Sequence, residues 1–208
     1  MTPISLKMNG ETLKQATIRH LNTYGYATLD TVELPMFTEY LEGLKSDREY
    51  WEEVIGADVD RVEGLFRAIL VGDDNTILGN YNSKFYTFLN RGMREAAKKF
   101  RDNGIETRQA VVRFPKDHCF TSIQLIARSP INDDPRTSDK FNAYISVSMR
   151  SCNVVDNYVD DLYLAYLVAM HTIGLARNAV NNPLTIEYAA MCISIGSLHR
   201  FKEPKANK

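Results

Sequence analysis

From Ser83 to Arg101 apolar side chains recur three and four residues apart. Phe85, Phe88, Leu89, Met93, Ala96, Ala97 and Phe100 then share one face, which predicts an amphipathic helix. Asn103-Gly104 follows in the manner of a C-cap. Downstream the period changes to two. Arg108 to Phe114 reads as a strand that stops at Pro115, Cys119 to Ala127 as a second, and Phe141 to Met149 as its return. Between the last two, Arg128 to Lys140 is polar, with Pro130, Pro135 and an Asn-Asp-Asp run, and reads as an exposed loop. Val159 to Ala176 is apolar almost throughout, which predicts a long buried helix. Upstream, Glu11 to Leu21 reads as a helix, Ala27 to Leu34 as a strand, and Pro35 to Lys45 and Glu49 to Ile55 as short helices. Asn181-Asn-Pro183 is a turn. Leu184 to Ile195 is apolar and stays open between helix and strand. Helices alternating with neighbouring hairpin strands predict an α+β fold, a mixed sheet packed against helices.

The chain has 208 residues, of which 44% are hydrophobic and 25% charged, enough to build one domain with a sizeable core. Its net charge of -1, with no basic block, argues against a nucleic-acid polymer as partner. Three cysteines, Cys119, Cys152 and Cys192, are an odd number without close spacing, so neither a disulfide framework nor a zinc site is expected. No basic stretch followed by an apolar run opens the sequence, so no secretory leader is expected. The longest apolar stretch, Leu162 to Ala176, is short for a membrane span and is interrupted by His171, Thr172 and Gly174. These features predict a cytoplasmic protein without a membrane partner.

The densest chemistry lies in Ser148-Met-Arg-Ser-Cys-Asn-Val-Val155 and the following Tyr158-Val-Asp-Asp161. An Arg-Ser pair at the end of one strand faces the start of the long helix. Free backbone N–H groups and the helix dipole favour anions and polar ligands at such a junction. Each residue alone has a plainer reading. A single cysteine is more often a small core hydrophobe. A single arginine is more often half of a surface ion pair, and Asp160 and Asp161 suit the first turn of any helix.

Taken together with Cys119 and with Gly196-Ser-Leu-His199, this segment resembles the thymidylate synthase and deoxycytidylate hydroxymethylase family. The resemblance is densest from Arg108 to Phe201. It implies a thymidylate synthase-like fold and a thiolate nucleophile at Cys119, which opens a strand and is followed five residues later by Gln124. Attack of the thiolate on C6 of a pyrimidine would make C5 nucleophilic, and Lys116, His118 and Arg150 would favour the ionised thiol. Arg150 and Ser151 would bind the nucleotide phosphate, since arginine offers a bidentate fork and serine a hydroxyl donor. Asn153 and Gln124 join that nucleotide-binding set. Arg108, in Thr107-Arg-Gln109, matches one of two family arginines that reach the neighbouring subunit's phosphate, with Gln109 in place of the second. His199, in Gly-Ser-Leu-His-Arg-Phe201, would bind the sugar, with Phe201 where the family has tyrosine. Phe120 stands where thymidylate synthases carry histidine.

The resemblance also speaks to the substrate. Asp161, eleven residues after Arg150, falls where thymidylate synthases hold asparagine and the phage hydroxymethylases hold aspartate. A carboxyl can accept from cytosine N4 and, when protonated, donate to N3, a role suited to a buried aspartate with a raised pKa. Tyr81 resembles a family Tyr-Gly segment, with Asn82 replacing the glycine. The catalytic glutamate falls in Thr38-Glu-Tyr-Leu-Glu-Gly43, where Glu42 is the candidate, Glu39 a neighbour and Tyr40 the position of direct alignment. The resemblance therefore implies a homodimer with shared active sites, using methylenetetrahydrofolate to hydroxymethylate a pyrimidine nucleoside monophosphate, dCMP in the first place. A thymidylate synthase acting on dUMP and a catalytically silent nucleotide-binding homologue are the alternatives. Family members carry a C-terminal segment that closes over the folate; the sequence ends soon after Phe201.

Overall fold

A computed structural model of the protein describes residues 10–28, 30–71, 83–104, 107–116, 118–130, 140–177 and 185–202. Tyr81, the turn at 181–183 and most of the polar loop after Arg128 lie outside these residues. The first helix, α1 (Leu13–Tyr24), starts where a Thr12–Gln15 capping box satisfies two of its free N–H groups. Its buried face is Leu13, Ala16, Thr17 and Leu21.

The segment Pro35 to Lys45 is not helical. It belongs to the strand β2 (Thr31–Leu41), which follows the two-residue β1 (Tyr26–Ala27). Phe37 and Glu39 point inward, and Met36, Thr38 and Tyr40 outward. A carboxylate at an inward position breaks the apolar alternation, so the run reads as a helix from sequence. Pro35 pairs with Ser197 of β6 next to the skipped Met36, while β1 pairs with β2 only at Val32 and Glu33, so the edge toward β1 is unpaired at the proline.

A π-helical turn, Tyr50–Ile55, occupies the predicted helix near Glu49. Gly56 ends it at φ 87° while the N–H groups of Gly56 and Ala57 both donate to Trp51 O. The next helix, α2 (Val59–Val71), occupies a stretch to which sequence reading assigns no element. Helix α3 (Ser83–Asn103) ends at Gly104, whose φ of 80° is the left-handed conformation of a C-cap. Leu89, Met93, Ala96, Ala97 and Phe100 are buried as expected, and Tyr86 joins them. Phe88 does not: it is 43% exposed on the other face. The Phe85 side chain lies outside the described residues.

The remaining elements are β3 (Val111–Arg113), β4 (Phe120–Arg128), β5 (Lys140–Asn153), α4 (Tyr158–Arg177) and β6 (Thr185–Phe201). Leu184 to Ile195 is thereby resolved as strand. Six strands form one mixed sheet in the order β1-β2-β6-β5-β4-β3. Among the described residues only β5 and β6 are parallel, joined by the crossover that contains α4; the other pairs are antiparallel. This is an α+β fold with a mixed sheet against helices, as the hydrophobic pattern predicts. Helix α4 lies between the sheet and helices α2 and α3, so it is apolar on nearly every side.

Strand β5 runs four residues past the predicted end at Met149, so Arg150, Ser151, Cys152 and Asn153 are strand residues rather than junction residues. Strand pairing is interrupted along one row crossing the sheet. It skips Met36 and Gly196 between β2 and β6, and Arg150 and Gly196 between β6 and β5; the register shifts again between Phe120 and Ser122. Met36 adopts φ 56°, a left-handed conformation unusual for its side chain. At Gly196 a Cβ would lie 2.6 Å from the Arg150 carbonyl oxygen, so only glycine permits this approach. The irregular row sets where the Arg150-Ser151 segment sits relative to Cys119.

Candidate active site

The backbone of β5 organises the site. Arg150 N–H donates to the Cys119 carbonyl at 2.8 Å, which holds the residue before β4 directly beside the Arg-Ser pair. The Cys119 thiol is exposed, and the Ser151 hydroxyl donates to its sulfur at 3.8 Å. The Arg150 side chain is exposed, and its backbone is the part that bonds to Cys119. Three of the residues singled out in the sequence, separated by more than thirty positions, therefore meet at one strand end.

One residue further on, the pattern turns inward. Cys152 is buried, and its thiol donates to Asp161 Oδ2 at 3.6 Å. Burial, and then the charge of Asp161, push the Cys152 pKa well up, so this thiol stays protonated. Asp161 is itself buried in the first turn of α4, where its N–H donates to Asn157 O at 2.8 Å. Its neighbour Asp160 does something different. It accepts from Asp58 N–H at 2.8 Å and pairs with Arg61, tying α4 to the start of α2. The two adjacent carboxylates thus have separate tasks.

Asn153 and His199 are cross-strand partners at the ends of the parallel pair. Asn153 Oδ1 accepts from Val155 N–H at 3.1 Å and its amide donates to Asp156, so this side chain shapes the turn into α4. The His199 carbonyl accepts from Val154 N–H at 2.8 Å, and its half-buried ring packs edge-on against Phe201. Gln124 lies further along β4 and donates to the Arg108 carbonyl at 2.9 Å, which places Arg108 at the β3 side of the sheet.

Glu42 is not brought to this cluster. It follows Leu41, which pairs with Met191, eight residues before His199 on β6. At ~3.3 Å per residue that separation is roughly 26 Å along the strand. Glu42 is also exposed. The buried carboxyl of this segment is Glu39, which faces the helices and accepts a hydrogen bond from Tyr158 OH at the start of α4. Its other oxygen, Oε1, has no hydrogen-bond partner among the described residues. Burial raises the Glu39 pKa to about 7 against the opposing Tyr158 hydrogen bond. The same burial, and then the Glu39 charge, raise Tyr158 well above its ordinary value. The inward charge that hid β2 in the sequence was the available signal for this residue.

No protein-family model matches the chain, and comparison with curated proteins finds no match. Among the described residues no helix is long and apolar enough to cross a membrane, and no three His, Cys, Asp or Glu side chains are grouped to hold a metal ion.

Proposed function

We propose that the protein has a thymidylate synthase-like fold and is a pyrimidine nucleotide C5-hydroxymethylase, with dCMP as its substrate and methylenetetrahydrofolate as the one-carbon donor. The observation that carries this reading is the contact of the exposed Cys119 thiol with the Ser151 hydroxyl, held by the Arg150 N–H on the Cys119 carbonyl, one strand position from the buried Cys152–Asp161 pair. A nucleophile, an anion-binding pair and a base-reading carboxyl are what such a reaction needs from the protein.

The Cys119 thiolate adds to C6 of the pyrimidine, and C5 becomes nucleophilic. Arg150 and Ser151 hold the 5′-phosphate, and Asp161 reads the cytosine edge. C5 would take its one-carbon unit from the folate, with tetrahydrofolate released and the C5 proton lost; water would then add at the exocyclic methylene, and breaking of the C6–sulfur bond would return the Cys119 thiolate and free the hydroxymethylated nucleotide. The folate supplies a carbon at the oxidation level of formaldehyde. Its fit to this chain rests on Glu39, a buried carboxyl with an orphaned oxygen and a pKa near neutrality, able to hold and release a proton. Glu39 takes this role in place of Glu42 because it is buried and bonded to Tyr158 at the start of α4, the helix that carries Asp161. The sheet face away from the helices carries the half-buried Thr38, Tyr40, Gln124, Tyr144 and Cys192, which suits pairing with a second copy in the homodimer of this reading.

A second reading, nucleotide binding without catalysis, is favoured by the distance of Glu42 from the cluster. Incubation of the protein with methylenetetrahydrofolate and dCMP, CMP or dUMP, with products identified by mass spectrometry, separates the two. Hydroxymethyl-dCMP supports the enzyme. Nucleotide binding without product supports the second reading, and thymidylate from dUMP supports a synthase.

A further inference from the structure

We propose that the groove between the end of α2 and the exposed face of α3 binds a linear oligophosphate, either free or as the tail of a nucleoside triphosphate. This does not rest on the function proposed above. The groove encloses about 630 Å³, within the ~300–1,000 Å³ of small-molecule sites. Arg94, Lys98 and Arg101 line it from α3, and Leu70 and Val71 from α2.

Helix α3 carries six basic and two acidic residues in a chain whose net charge is -1. Spacings of four and then three residues put Arg94, Lys98 and Arg101 in one stripe along the helix. At 1.5 Å per residue the stripe rises about 10 Å, which suits a few linked phosphates rather than the path of a polymer. All three side chains belong to exposed residues. Arg91 has its own carboxylate, Glu95, at 2.7 Å, but neither Lys98 nor Arg101 has an ion-pair partner among the described residues. A cation in the last turns of a helix suits its dipole. Like charges three and four residues apart oppose one another, so the dipole alone does not account for three of them. A multiply charged anion does, and arginine forks with a lysine point charge are suited to phosphate.

The rest of the groove agrees. The carbonyls of Ile69 and Leu70 at the end of α2 would repel an anion, but Asn90 Nδ2 donates to both at 3.2 Å. Asn90 Oδ1 accepts from Arg94 Nε at 2.9 Å, which holds that guanidinium at the groove. The charge of Arg94 is felt nearby: burial, and then Arg94, lower the pKa of His171 on α4. Val71, 81% exposed, offers an apolar edge to a nucleoside.

His171 is therefore a local reporter, and NMR titration of its ring in the native protein, with tripolyphosphate or dCTP added, tests the site. Bound oligophosphate should raise the His171 pKa, because it offsets Arg94. Lys98→Gln should raise the tripolyphosphate dissociation constant read at His171 roughly threefold to tenfold, as expected for one exposed charged contact, and Lys98→Gln with Arg101→Gln should raise it further. Lys99→Gln removes the same charge from the next residue, outside the groove, and should leave the constant nearly unchanged. Tighter binding of dCTP than of tripolyphosphate supports a nucleoside triphosphate as the ligand, and equal binding supports the free oligophosphate. A His171 pKa that neither probe moves overturns the inference. So do equal losses in Lys98→Gln and Lys99→Gln, which would assign binding to net charge, and so does tighter binding of a single-stranded oligonucleotide than of either probe. Failure to convert dCMP would bear on the function proposed above and leave this site untouched.

Discussion

Single residues carry most of the chemistry, and two carboxyls show how environment divides their roles. Asp161 sits beside a protonated thiol, and its replacement by asparagine exchanges an acceptor-and-acid pair for an amide. The ratio of dCMP to dUMP affinity should then move toward dUMP by about one to two orders of magnitude, because a mismatched buried polar edge costs roughly 1–3 kcal/mol. Titration of both nucleotides against native and Asp161→Asn protein measures it, and an unchanged ratio would place base reading elsewhere. Glu39 makes a prediction that needs no ligand. Its pKa rises from 4.5 to about 7 on folding. Below pH 4.5 both states are protonated and the group has no effect. Between the two values the unfolded chain loses the proton first, so stability falls as pH rises, by about 3 kcal/mol once pH passes 7. Urea unfolding at pH 5 and pH 8 should show this fall in the native protein and little of it in Glu39→Gln. Equal pH dependence in the two proteins would contradict the assignment.

At the level of elements, the irregular row through Met36, Gly196 and Arg150 places the site. Gly196→Ala should destabilise the protein by roughly 1–3 kcal/mol, because its Cβ would meet backbone oxygen rather than a yielding side chain. Gly174→Ala in α4 is the contrasting case. Nothing lies within 4 Å of its Cβ, so helix propensity should stabilise by about 0.5–1 kcal/mol. Chemical denaturation of both variants checks the pair. The long strands and α4 were legible in the sequence because their apolar patterns are regular. Strand β2 was not, since Glu39 occupies an inward position and only the Tyr158 hydroxyl across the core makes that tolerable. Strand β5 was cut short for a related reason: Arg150 and Ser151 look like a loop signal, yet Arg150 N–H bonds to the Cys119 carbonyl just before β4 and Ser151 pairs with Ser197 of β6.

For the whole molecule, the reading of Arg108 as a residue serving a neighbouring subunit has a direct consequence. Cys119→Ser should lose turnover while keeping nucleotide affinity, since a hydroxyl is the weaker nucleophile and most binding comes from phosphate and base contacts. Arg108→Ala should lose activity by weakened phosphate binding. Mixed dimers of the two chains contain one site with both residues intact, so activity should return in part. Turnover of purified heterodimers measures it, and its absence would refute a shared site. Placing Arg108 near Gln124, rather than beside Arg150 in its own chain, is compatible with that division.

Sequence alone determined the fold class and the chemical vocabulary of this protein. Periodicities of two and of three to four reflect which faces are buried, and burial is a local property that each element writes into its own residues. The Arg150-Ser151 pair, Cys119, Asp161 and His199 were recognisable by kind and spacing. Tertiary structure alone decided which of them meet and which carboxyl is buried. The Cys119–Ser151 contact, the Cys152–Asp161 contact and the Glu39–Tyr158 pair join residues on different elements, and strand order is set by the sum of many weak contacts rather than by any one segment. A carboxylate's pKa depends on what surrounds it in space, so the difference between exposed Glu42 and buried Glu39, three residues apart, becomes visible only once the sheet has formed.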